Sequence, residues 1–236
     1  MSKENIPELQ AFVDRELAGR ESVRVLEAGC GSASAVDFGK NARLVGIDIS
    51  EQQLDRNTIL QEKIVGDIQR YDFTPGSFDM IVCWDVLEHL PQPELAVRQF
   101  ARAAKVGGIV IIKVPNVLSV KGLVTKFLPH FCHVLAYRFF YGDKNAGKND
   151  TAPFKTYLRF CISANAIKKQ GAALGMETAY YSTRDVTALN WLRRKKLVFL
   201  TYATLKFILK AVSLGAIGDS EFILVLKKTK PSGQPG

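Results

Sequence analysis

The stretch VRVLEAGCGSASAVDF, residues 23–38, runs from apolar residues through Glu27 into Gly29-Cys30-Gly31. Two glycines one residue apart let a ligand approach bare backbone, as in the nucleotide sites of open α/β sheets. The dinucleotide pattern needs a further glycine three residues on, and here Ser34 stands in its place. The lysine of a phosphate-cradling loop is missing too. A ligand without a phosphate chain therefore suits this turn better. Asp48 closes the run ARLVGID, and a carboxylate beside the turn can accept from both hydroxyls of a ribose. The plainer reading of Asp48 is a helix-capping acid. Asp67 follows Gly66 and can take an adenine amino group, or merely close a turn.

For these groups to meet, the chain must deliver them to one edge of a sheet. Strands are expected at Val23–Ala28, Ala42–Asp48, Lys63–Val65, Phe78–Trp84 and Ile109–Val114. Helices are expected over 5–19, over roughly 33–39, after Ser50 with Gln53 as its capping partner, and from Pro91-Pro93 to about Lys105, where Gly107-Gly108 stops the chain. Strands alternating with helices indicate a parallel sheet covered on both faces. Ser163–Leu174 reads as a helix ended by Gly175, and Met176–Ser182 and Glu221–Leu226 as two last strands. The 236 residues carry 47% hydrophobic and 23% charged residues, an ordinary globular balance. The four cysteines form no C-x-x-C pair, which argues against a zinc knuckle or redox motif. MSKENIPELQ lacks the apolar core of a signal peptide, so a cytoplasmic protein with reduced thiols is expected.

The segments VLEAGCGSA, GIDIS, GD, FDMIVCWDVLEHL and KVGGIVIIKVPN resemble, in order and spacing, the motifs of class I S-adenosylmethionine-dependent methyltransferases of the small-molecule or quinone type. The resemblance covers about residues 20–115. It implies a Rossmann-like seven-stranded, mostly parallel sheet with its last strand antiparallel and helices on both faces. It implies S-adenosyl-L-methionine as cofactor. Glu27 resembles the acid supporting the methionine end, and Gly29, Cys30 and Gly31 the turn under the cofactor. Asp48 and Ile49 match the ribose acid and its apolar neighbour. Asp67 and Ile68 match the adenine-edge pair. Cys83 and Trp84 lie where the fourth strand reaches the cofactor. The first helix looks short, and Ala33 replaces a frequent third glycine.

Methyl transfer needs alignment and the removal of a proton from the acceptor. On a helical turn Asp85, Glu88 and His89 fall on one face, and His89 is the best base. Two other readings stand beside it: a divalent metal held by Asp85, Glu88 and His89 with His130 or His133, and plain structural support under the site. Cys83-Trp84-Asp85 is not the Asp/Asn-Pro-Pro-Tyr signature of many exocyclic-amine methyltransferases, which argues against DNA adenine though not against RNA; an oxygen acceptor is the default, with nitrogen or carbon left open.

Charge divides the chain. Residues 1–116 carry a net −4 and residues 117–236 a net +13. Residues 117–160 hold nine aromatics with Lys121, Lys126, Arg138, Lys155 and Arg159, which suit either a large, partly apolar acceptor or the core of extra helices; the resemblance implies a lid over the acceptor there. Asn116 is placed either to touch that acceptor or to make a turn. Residues 185–219 form an insertion with Arg193–Lys196 and then a basic amphipathic run over 191–214. Its uncharged stretch, 197–205, is too short to span a bilayer, and the run fits an anionic membrane surface, a helical hairpin packed on the domain or forming a dimer interface, or an RNA contact. One domain over 1–230 with a flexible tail at 231–236 is expected. It would methylate a small or lipid-like molecule and be cytoplasmic or peripheral at the membrane. The rival readings are an RNA methyltransferase, disfavoured by the absence of an added RNA-binding motif, and a non-catalytic cofactor-binding scaffold.

Overall fold

A computed structural model describes residues 6–32, 36–140, 146–147, 154–185, 200, 203–204, 207–208 and 218–231. Helix α1 (Pro7–Leu17) precedes β1 (Val23–Ala28), β2 (Ala42–Asp48), α2 (Glu51–Arg56), β3 (Glu62–Val65) and β4 (Phe78–Trp84). A 3₁₀ turn at Leu87–His89 leads to α3 (Pro93–Ala103) and β5 (Ala104–Pro115). Then come α4 (Val120–Phe127), α5 (His130–Phe140), α6 (Ala164–Ala173), β6 (Met176–Arg184) and β7 (Glu221–Lys228).

The seven strands form one sheet in the order β3-β2-β1-β4-β5-β7-β6. β7 runs antiparallel to both β5 and β6, while β1 to β5 are parallel. The expected α/β architecture is therefore present. Alternate strand residues feed two cores. Leu26, Ile47, Ile81 and Ile112 pack with α3 and α6 on one face, and Val25, Met80, Val82 and Ile111 pack with α1 on the other. Burial on both faces explains why these strands read as continuous apolar runs.

Three local expectations are corrected. Residues 36–39 form no helix; Val36 and Phe38 are buried in the α1-side core from a bend, and 33–35 lie outside the described residues. Helix α3 starts at Pro93 rather than Pro91 and ends at Ala103. Gly107-Gly108 does not stop it. Phe78 pairs with Ala104 and Met80 with Ile109, so the glycines sit in a bulge of β5. The amphipathic run at 191–214 lies outside the described residues except for Leu200, Ala203–Thr204 and Phe207–Ile208, all helical. Of the tail, only Pro231 is described.

The candidate cofactor and acceptor site

Strand order reverses between β1 and β4, and in such sheets the crevice opens beyond the carboxyl ends of those two strands. There β1 turns through Gly29 (φ +71°) and Gly31 (φ +51°). A side chain at Gly29 would bring its Cβ within 2.6 Å of both Val86 methyls, so backbone geometry and space each require glycine there. The N–H groups of Gly29 and Cys30 both donate to the Ile47 carbonyl, at 2.8 and 3.3 Å, which pins the turn to β2. At Gly31 the nearest atom to an added Cβ among the described residues is the end of Gln53, at 3.9 Å.

Asp48 ends β2 beside that turn. Its Oδ2 accepts from Gly31 N at 2.9 Å and its Oδ1 from Ser50 N at 2.9 Å. Each oxygen thus takes one amide, and a carboxylate has about four acceptor positions in all. The remaining capacity suits a diol. Ser50, not Asp48, caps α2, through Gln53 N. Ile49 is 77% exposed, an apolar side chain presented next to that acid. Asp67 Oδ1 accepts from the backbone N and side-chain Nε2 of Gln69, both at 2.9 Å, and Gln69 Oε1 accepts from Gln92 N. Asp67 therefore stands in a built turn rather than a loose one.

Some of the expected contacts are not presented to a ligand. Ile68 and Cys83 are core side chains, and burial holds the Cys83 thiol well above its ordinary range. Cys30 packs inward against Gly46, and burial, with Asp48 and Glu27 nearby, pushes its thiol up to about 12. At these three positions only the backbone can face the crevice. Glu27 is buried at the end of β1. Trp84 is half-buried, and its indole N–H has no hydrogen-bond partner among the described residues.

The run Asp85–His89 is not the helical turn expected. Asp85 is left-handed (φ +54°) and precedes a 3₁₀ turn of three residues. The acids still act on one another. Burial first, and the Asp85 charge second, push the Glu88 carboxyl up to about 8. His89 Nε2 lies 3.9 Å from Glu88 Oε1. His89 Nδ1 is 2.8 Å from the Lys155 carbonyl, and Phe154 meets the ring edge-on at 5.9 Å. A carbonyl can only accept, so Nδ1 carries the proton and Nε2 the lone pair. Burial lowers the His89 pKa, against the opposing pull of that carbonyl and of Asp85, so the neutral ring dominates at pH 7. The geometry therefore offers a proton acceptor at the mouth of β4. Among the described residues no group of three or more His, Cys, Asp or Glu is arranged to hold a metal. His133 is engaged elsewhere, its Nε2 being 3.2 Å from the Thr125 carbonyl.

The described segment that follows α5 docks on this turn. Tyr157 N and Leu158 N both donate to the Glu88 carbonyl, at 2.8 and 3.0 Å. Lys126 of α4 donates to the Leu158 carbonyl and lies over the Phe160 ring. Asn116 makes a turn. Its Oδ1 accepts from Leu118 N and its Nδ2 donates to the Asp219 carbonyl. Sequence reasoning missed two supporting residues. Asn57 is buried and donates to the Gly31 carbonyl at 3.4 Å. Lys113 is buried at the end of β5, in contact with Asp85 and Glu221. Burial alone would lower the Lys113 pKa, but the two carboxylates hold it above its ordinary value. A lone cation in the apolar run IVIIKV was the available signal.

Residues 1–144 match a family described as a methyltransferase domain. The ubiquinone biosynthesis O-methyltransferase of Idiomarina loihiensis is 29% identical over 121 residues, covering 44% of this chain and 47% of that protein. The protein of the same name from Chromobacterium violaceum is 26% identical over 207 residues, covering 77% and 81%. The chain spans about half the length of the first of these relatives. A SAM-dependent methyltransferase structure from Methanosarcina mazei superposes with a TM-score of 0.55 at 14% identity, covering 95% of this chain and 98% of that one. At that identity the likeness speaks to the fold.

Proposed function

Because the chain belongs to the methyltransferase-domain family, we propose that it transfers a methyl group from S-adenosyl-L-methionine to oxygen on a small, lipid-like acceptor. The observation that carries the reading is Asp48. Its carboxylate is oriented by the amides of Gly31 and Ser50 beside the glycine turn, with exposed Ile49 adjacent. That fits a nucleoside. Asp48 would hold the ribose hydroxyls, Ile49 would cover one adenine face, and Asp67 would take the adenine amino edge. Gly29, Cys30 and Gly31 would pass their backbone under the methionine portion, near Glu27. When bound, the cofactor supplies an already activated methyl electrophile. The protein's share is alignment and a proton acceptor. His89 Nε2 takes the hydroxyl proton of the acceptor, with Nδ1 anchored on Lys155. Asp85 and Glu88 shape the field around it.

Support for an oxygen acceptor of quinone-like character comes from the names of the relatives and from the lid. Phe154 and Tyr157 line the side of the lid that closes on His89. A second reading concerns where the acceptor is met. Phe127 is 74% exposed, and Phe131 and Leu135 are also exposed, on helices that carry basic residues, with exposed Leu128 between the two helices. Leu200, Phe207 and Ile208 are exposed as well. We place these surfaces against an anionic membrane. Among the described residues no helix is long and apolar enough to cross one.

Calorimetric titration with S-adenosylmethionine and S-adenosylhomocysteine tests the main reading. Wild type should bind with a roughly micromolar dissociation constant, about −8 kcal/mol. Asp48→Ala should lose that binding. His89→Ala should keep it, because the imidazole serves the acceptor and not the cofactor. Wild-type protein that binds neither ligand overturns the proposal.

A further inference from the structure

Strand β5 carries one charged side chain, Lys113, in the apolar run from Ile109 to Val114, and it is only 4% exposed. Its Nζ lies 2.7 Å from Asp85 Oδ2 and 2.9 Å from Glu221 Oε2. Arg184 Nη1 stands 4.0 Å from Glu221 Oε1. The backbone adds a second grip on Asp85, whose N–H donates to the Lys113 carbonyl at 2.9 Å. Asp85 adopts the left-handed conformation that non-glycine residues avoid. The next residue, Val86, fills the space over Gly29. Neither cofactor binding nor proton removal, as assigned above, uses Lys113.

We propose that Lys113 is a positioning residue of the cofactor site: its ammonium, shared by Asp85 and Glu221, holds the left-handed bend at Asp85 that seats Val86 against the Gly29 turn. The assignment rests on the cofactor reading given above. Strained backbone persists only where its surroundings over-determine it, and here the ammonium holds the Asp85 side chain while the Lys113 carbonyl holds its N–H. The same cation reaches the first residue of β7, so the strand that completes the sheet is tied to the bend under the cofactor turn.

The test is a double-mutant cycle read by calorimetric titration with S-adenosylmethionine and S-adenosylhomocysteine, with thermal melting as a check of folding. Lys113→Met should weaken both ligands by about tenfold or more, since it releases the bend at Asp85 and leaves buried Glu221 without its cation. Glycine adopts the bend unaided, so in the Asp85→Gly background Lys113→Met should weaken binding no further. A role confined to overall stability would lower the melting temperature without this dependence on residue 85. Additive losses, or a folded Lys113→Met with wild-type affinity, overturn the assignment. If Lys113→Met does not fold, Lys113→Met/Glu221→Gln, with one stranded charge removed, enters the same comparison. Wild type that binds neither ligand overturns the cofactor reading itself and this assignment with it.

Discussion

Glu88 is a carboxyl group 3% exposed, with a carboxylate neighbour, and the protonated form is the one the fold accepts. Its pKa of about 8 lies above the ordinary value near 4.5, so the folded state binds more protons than the unfolded chain between those limits. Its contribution to stability is fully present below the unfolded value and is lost as pH rises through about 8. Glu88→Gln should flatten that loss and exceed wild type at pH 9 by on the order of 2 kcal/mol, measured by denaturant unfolding at pH 5 and pH 9. Equal slopes for the two proteins would mean that Glu88 is ionised in the fold. At this scale the sequence was informative about which residues gather and silent about their partners. Asp48 was legible because its place at the end of a strand fixes its position. The inward turn of Cys30 and Cys83 was not, because a strand end alternates faces and one residue decides which side a thiol takes.

Elements explain how His89 receives its orientation. The histidine sits on a 3₁₀ turn, but its Nδ1 partner comes from a strap 66 residues later, docked by Tyr157 and Leu158 on the Glu88 carbonyl. Spacing within Asp85–His89 could not reveal this, since the bond spans the chain. The helical reading of that run failed for a related reason: Lys113 and Val86 impose a bend that local propensity would not choose. Tyr157→Pro removes one of the two strap amides, and proline cannot restore it. In histidine proton NMR titrations, wild-type His89 should titrate below the ordinary 6.5, the shift that burial dictates. Undocking the strap exposes the ring, so the variant's His89 pKa should rise toward 6.5. An unchanged His89 titration would show that the strap does not bury the ring.

Across the whole molecule, the centre of the sheet was legible because both faces of β1, β4 and β5 are covered, and double burial writes continuous apolar runs into the sequence. The surface beyond the sheet was legible only as composition. Basic and aromatic residues crowd the second half of the chain, and composition does not say whether they cover a core or face a partner. The described residues answer in part, because Phe127, Phe131 and Leu135 stand exposed on adjacent helices beside cations rather than filling an interior. Arg193–Lys196 add four further cations in the insertion. Each cation near an anionic surface contributes about 1 kcal/mol, and buried aromatic rings add an apolar term that salt does not screen. The chain should therefore sediment with vesicles containing phosphatidylglycerol and much less with neutral phosphatidylcholine vesicles. Deleting 191–214 should weaken sedimentation and its salt dependence together. Phe127→Ser/Phe131→Ser should weaken sedimentation while leaving the salt dependence in place. A full-length protein that stays in the supernatant with both vesicle types removes the membrane from the account and leaves the acceptor to be met in solution.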